Sequence, residues 1–115
     1  MVRSMFLRDK SGTPYGCLAV EVKETEIHYQ LSVKNPIDRW DRKRAHEIAV
    51  ARLTKRPFIV PVIMPEKTKF NYFDITYVVM MDLINSHCTE VPGRAVKSAK
   101  RWVNNYVEQQ PQEQV

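Results

Sequence analysis

Between Ile27 and Ala51 the hydrophobic period changes once, and that change limits what the chain can fold into. Ile27, Tyr29, Leu31 and Val33 alternate with His28, Gln30, Ser32 and Lys34, the period of two of a half-buried strand. Asn35-Pro36 stops the alternation, and the period beyond it is helical. Ile37, Trp40, Ala45, Ile48 and Ala51 fall on one stripe of a helical wheel. Asn35 reads as the N-cap of this helix, Pro36 as its first residue and Asp38 as a capping-box acid. The helix leaves near Lys55, before Pro57.

The remaining elements are placed around this junction. Met5 to Arg8 reads as a short strand, ended by the turn-rich Asp9-Lys10-Ser11-Gly12-Thr13-Pro14. In the next strand Leu18, Val20 and Val22 point inward and alternate with Cys17, Ala19 and Glu21. With Ile27–Val33 these runs make an antiparallel meander whose wet face carries His28, Gln30, Ser32 and Lys34. Phe58 to Met64 is apolar but interrupted by Pro61, which suits an edge strand or an extended segment across the core. A helix is expected from about Asn71, capped by Asn71 with Asp74 three residues on, although Ile75 to Met80 also has strand character. A last helix runs from near Pro92 to about Glu108, with Val96, Ala99, Trp102, Val103 and Tyr106 as its packing stripe. The expected fold is therefore α+β: a small antiparallel meander covered on one face by two or three helices, in a single domain over residues 1–108. Residues 109–115 have little to bury and read as a disordered tail.

A chain of 115 residues with 43% hydrophobic and 27% charged residues has the length and composition for one modest core. No apolar run approaches a membrane span, and the N-terminus lacks a signal-peptide pattern, so a cytoplasmic protein is expected. In that compartment Cys17 and Cys88 are expected as free, buried thiols. The formal net charge of +5 favours an acidic partner, whether a nucleotide, a nucleic acid or an acidic protein surface.

Charge within the first helix sharpens this. Arg44 and Arg52 project from the same side, two turns apart, with Asp41 one turn before Arg44, and all three fall inside the apolar stripe. Charges on such a stripe must be paired or must serve a ligand. An internal ion pair of Asp41 with Arg44 or Arg52 and a phosphate held by arginine forks stand as equal readings. Trp40 lies at the edge of the set, placed to stack on a base or to pack. Arg39, Arg42, Lys43 and His46 cluster on the outer side of this helix, and Lys97, Lys100 and Arg101 on the last. Such runs are usually solvated faces, but they also fit phosphate contact. Ser11 to Gly16 can present backbone amides to an anion, although a hairpin turn is the simpler reading. His28 is the one general-base candidate. No nucleophile motif accompanies it, and His87-Cys88 has no second ligand pair for a metal, so neither catalysis nor a cofactor or metal is expected.

The run from Ile27 to Leu53 is a polar strand followed by Asn-Pro-x-Asp-x-Trp-x-Arg-Lys-x-Ala-x-x-Ile-Ala-x-x-Arg-Leu. It resembles a pattern of small phage-encoded accessory proteins and is weakly similar to the Thoeris anti-defence proteins. Those are small oligomers that bind cyclic ADP-ribose-type or cyclic-nucleotide signals without degrading them. Where that pattern often has Gly-Arg, this chain has Ala45-His46. The resemblance implies a non-catalytic accessory protein, oligomeric and at work in a bacterial host's cytoplasm, that sequesters a phosphorylated nucleotide. Arg39, Trp40, Lys43, Arg44 and Arg52 would form the ligand set. Two alternatives stand beside it. One is a single-stranded nucleic-acid-binding protein using Lys34, Arg42, Lys97, Lys100 and Arg101. The other is an inhibitor docking on an acidic host protein.

Overall fold

The computed structural model of the protein describes residues 2–62 and 72–109. Strands β1 (Val2–Arg8), β2 (Pro14–Val22) and β3 (Glu26–Val33) lead into helix α1 (Arg42–Lys55). Strand β4 (Phe58–Pro61) and helices α2 (Tyr72–Ser86) and α3 (Gly93–Gln109) follow. The four strands pair antiparallel in the order β1-β2-β3-β4, so the fold is α+β, as the pattern predicts. Residue contacts divide the chain into two compact units, residues 1–68 and 69–115. Among the described residues no helix is long and apolar enough to cross a membrane.

In the first unit β1 and β4 are the sheet edges, and β4 is the proline-bounded edge strand expected from Phe58 onward. The β1–β2 turn is closed by Asp9, whose Oδ1 accepts from the amides of Ser11 at 2.9 Å and Thr13 at 3.0 Å. The amide of Gly12 donates to the Asp9 carbonyl, and Gly12 itself takes a φ of +84°. These amides are committed within the turn, so the hairpin reading of this loop holds. Gly16 has a different role. A β-carbon there would lie 2.5 Å from the Ser32 carbonyl oxygen, a close approach of β2 to β3 that only glycine permits.

The two faces of the sheet correct the expected meander. Leu18, Ile27, Tyr29 and Leu31 are buried on one face, as predicted. The other face, which the alternation marks as wet, is the one on which α1 sits. Cys17 and Ala19 there meet Ala49 and Leu53 of α1, with Phe6, Ala45 and Val50 packed around them. Small side chains let the helix approach closely, and the polar ones serve its backbone. Ser32 Oγ donates to the Ala45 carbonyl at 2.7 Å, and Gln30 Nε2 donates to the carbonyl of Arg56 at the helix C-terminus at 2.8 Å. Arg52 Nη1 donates to the Leu31 carbonyl at 3.0 Å. A strand with both faces covered can still alternate apolar and polar, because polar residues are tolerated where a helix backbone supplies their partners.

Helix α1 also begins later than predicted. Asp41 is its N-cap, with its carboxylate accepting from the Arg44 amide at 3.1 Å, whereas Asn35 closes a separate turn over residues 35–38. The shift moves the packing stripe: Ala49 and Leu53 are buried, Ala51 is exposed, and Ile37 stands 89% exposed outside the helix. Cys17 is buried as expected, but Cys88 is an exposed free thiol in the turn after α2.

In the second unit α2 and α3 pack on each other. Ile75 to Met80 is helical, and Ile75, Thr76, Val79, Met80 and Leu83 are buried. Asn71 lies outside the described residues, so the proposed cap does too, and so do residues 110–115 of the expected tail. On α3 the buried positions are Ala95, Ser98 and Ala99, which moves the predicted stripe by about one residue; Val96, Trp102, Val103 and Tyr106 are half-buried. Tyr77 stacks on Tyr106 at 4.7 Å and Trp102 on Tyr106 at 5.3 Å. The Tyr106 hydroxyl donates to Asp74 at 2.6 Å, which joins the two helices.

Candidate functional site

Residues 34–41 link β3 to α1 without regular structure, and local hydrogen bonds set their path. The Asp38 amide donates to the Asn35 carbonyl at 2.9 Å, and the Lys34 ammonium donates back to the Asp38 carbonyl at 3.1 Å. Both backbone groups of Asp38 are thereby held. The chain then turns so that Trp40 meets Phe6 of β1 edge to face, with ring centroids 5.7 Å apart, while the Arg42 guanidinium sits 4.9 Å from the same ring. Asp41 caps the helix directly afterwards.

This link, the end of β3 and one edge of α1 enclose a cavity of about 460 Å³. Ser32, Val33 and Lys34 form the strand side, and Asn35, Asp38, Arg39, Trp40 and Asp41 form the link side. Arg44, Ala45, Ile48 and Arg52 close it from the helix. The spacing explains the last group: Arg44, Ile48 and Arg52 recur every four residues and stand along one edge of the helix, beside the face that docks on the sheet. A cavity of this size suits a small organic ligand.

Four cationic residues and two acidic ones are among the lining, an excess of positive charge. The cations differ in their engagement. Lys34 is tied to loop carbonyls, and Arg52 spends one guanidinium hydrogen on Leu31 and keeps its others uncommitted among the described residues. Arg39 and Arg44 are exposed and have no hydrogen-bond or ion-pair partner among the described residues. Of the two readings of the charged stripe, the internal ion pair is absent among the described residues. Asp41 contacts the backbone of Arg44, and no Asp41–arginine bridge forms.

Four of the five predicted ligand residues therefore converge: Arg39, Trp40, Arg44 and Arg52 line the cavity, and Lys43 does not. Lys34, expected as a nucleic-acid contact, belongs to the lining as well. Arg42 sits on Phe6 instead. Lys97, Lys100 and Arg101 stand on α3 in the second unit and line no part of this cavity; Arg101 donates to Ser98 Oγ at 3.1 Å. Asp38 and Ile48 were not expected here. Ile48 was legible only as core, and Asp38 only as a cap, because each role presumed a helix beginning at Pro36.

His28, the general-base candidate, is paired with a carboxylate. It is 15% exposed on the face that α1 covers, and its Nε2 lies 2.6 Å from Glu26 Oε1. His87 is similarly placed between Asp82 and Glu90. Among the described residues no three His, Cys, Asp or Glu side chains gather as a metal site requires. No family model matches the chain, and no curated protein or solved structure is significantly similar to it.

Proposed function

We propose that this protein binds a phosphorylated nucleotide in the cavity between β3, the 34–41 link and α1, and sequesters it without chemistry. The observation that carries the reading is the pair of arginines, Arg39 and Arg44, lining the cavity with guanidinium groups that have no partner among the described residues. Guanidinium forks bind phosphate oxygens bidentately, and a ligand there exchanges water for charge-assisted hydrogen bonds. Arg52 and Lys34 add field, and Trp40, fixed by Phe6, offers a rigid aromatic surface for a base. The resemblance of residues 27–53 to phage accessory proteins supports a role in capturing a host signal nucleotide, and the protein acts as a binder rather than an enzyme.

Native mass spectrometry of gently purified protein tests this. A nucleotide-sized adduct that disappears in Arg39→Ala and Arg44→Ala is expected. Protein that stays bare after incubation with a panel of mono-, di- and cyclic nucleotides overturns the reading.

A further inference from the structure

We infer that Asp38 is the specificity determinant of this cavity, accepting a hydrogen bond from a hydroxyl or amine donor on the sugar or base of the ligand. The site thereby selects nucleoside phosphates over bare polyphosphates. The inference rests on the nucleotide reading above and adds the chemistry of its non-phosphate end.

The two carboxylates of the cavity are not equivalent. Asp41 Oδ1 is consumed as the helix cap, accepting from the Arg44 amide. Asp38 is an exposed residue whose backbone is fixed at both ends, through its amide to Asn35 and its carbonyl to Lys34, and its carboxylate has no partner among the described residues, which leaves it open to a ligand. Even Lys34, within reach of the Asp38 backbone, bonds the carbonyl and not the side chain. An anion-binding cavity gains nothing for phosphate from a carboxylate at its wall, which repels the ligand. The same carboxylate is an acceptor-only group, so a ligand carrying hydroxyl or amine donors beside its phosphate matches it. Phosphate at Arg39 and Arg44, a ring at Trp40 and a donor at Asp38 together describe a nucleoside phosphate, with Asp38 and Trp40 two residues apart on the same link.

Calorimetric titration of the full chain with pyrophosphate and with ADP, GDP, CDP and UDP tests the assignment. For the tightest nucleoside diphosphate, Asp38→Ala is expected to weaken binding about tenfold, the loss of one hydrogen bond to a charged group. Pyrophosphate binding should move the opposite way and tighten about twofold or more as the repulsion is removed. Asp38→Asn, which keeps an acceptor without the charge, should tighten pyrophosphate equally and lose less of the nucleotide. The 2′,3′-dideoxy form of the same nucleotide separates the sources of the donor: insensitivity of that form to Asp38→Ala assigns the donor to the sugar, and equal sensitivity assigns it to the base. If the variants change neither ligand, or change both in the same direction, the inference falls while the nucleotide reading stands. If the wild type binds none of the five, the inference falls, and the nucleotide reading rests on the mono- and cyclic nucleotides of the mass-spectrometric panel.

Discussion

Arg44 and Gly16 show how differently single residues act in this molecule. Arg44 is exposed, and its guanidinium has no hydrogen-bond or ion-pair partner among the described residues. Arg44→Ala is therefore expected to leave the thermal midpoint within about a degree or two, while weakening a bound nucleotide roughly ten- to hundredfold, the range for hydrogen bonds to charged groups. Calorimetry and thermal unfolding on the same sample separate the two effects. Gly16 is the converse, outside the cavity lining and intolerant of a methyl. With the Ser32 carbonyl 2.5 Å from any β-carbon and Leu7 at 3.2 Å, Gly16→Ala should cost about 1–3 kcal/mol by chemical denaturation. It would also push β2 away from the strand that carries Ser32 under α1. An unchanged denaturation midpoint would show that the two strands part without cost.

At the scale of elements, caps and tethers decide where the helices lie. Helix α1 begins at Asp41 because its carboxylate reaches the Arg44 amide and because Ala45, Ala49 and Leu53 must meet Cys17 and Ala19. Asp41→Ala is expected to cost about 1 kcal/mol of stability, the usual worth of an N-cap. The same variant should weaken nucleotide binding by fraying the turn that carries Arg44, and Asp41→Ser, which still caps, should restore both. In the second unit, the Tyr106 hydroxyl bonded to Asp74 has its pKa raised above the ordinary value of 10.0, first by that hydrogen bond, then by burial and the Asp74 charge. Because the folded value lies above the unfolded one, the tether contributes fully below pH 10.0 and is lost as pH climbs through the folded value. Wild type should therefore unfold more easily at about pH 11 than at about pH 9 by a margin that Tyr106→Phe lacks. Equal pH sensitivity in the two proteins would deny the tether a stabilising role.

For the whole molecule, a formal charge of +5 makes weak binding to many polyanions unsurprising, so the kind of salt dependence matters more than affinity. A small ligand in the cavity meets a few cations and should lose affinity gently with ionic strength. Single-stranded nucleic acid bound through Lys34, Arg42, Lys97, Lys100 and Arg101 would show a steep logarithmic slope proportional to the phosphates neutralised. A shallow slope for the tightest nucleotide, measured from about 50 to 200 mM salt, is expected. A steep slope together with tighter binding of oligonucleotides would move the function to the protein surface.

What the residues determined by themselves was local. The alternation of Ile27 to Val33 and the amphipathic stretch from near Pro92 placed β3 and α3 within about a residue, and the Phe58 run placed the start of β4, since period and turn chemistry act over neighbouring positions. The partly apolar, partly arginine edge of α1 was legible in the same way, and with it Arg44 and Arg52, two of the cavity's four cations. Tertiary structure alone decided which face of the sheet the helix covers and where that helix starts. Two caps, Asn35 and Asp41, were both chemically adequate, and docking of Ala49 and Leu53 on Cys17 and Ala19 selects the second. That choice frees residues 35–40 from the helix. It turns Asp38 from a cap into a wall of the cavity, because a side chain's role depends on which neighbours the fold brings to it.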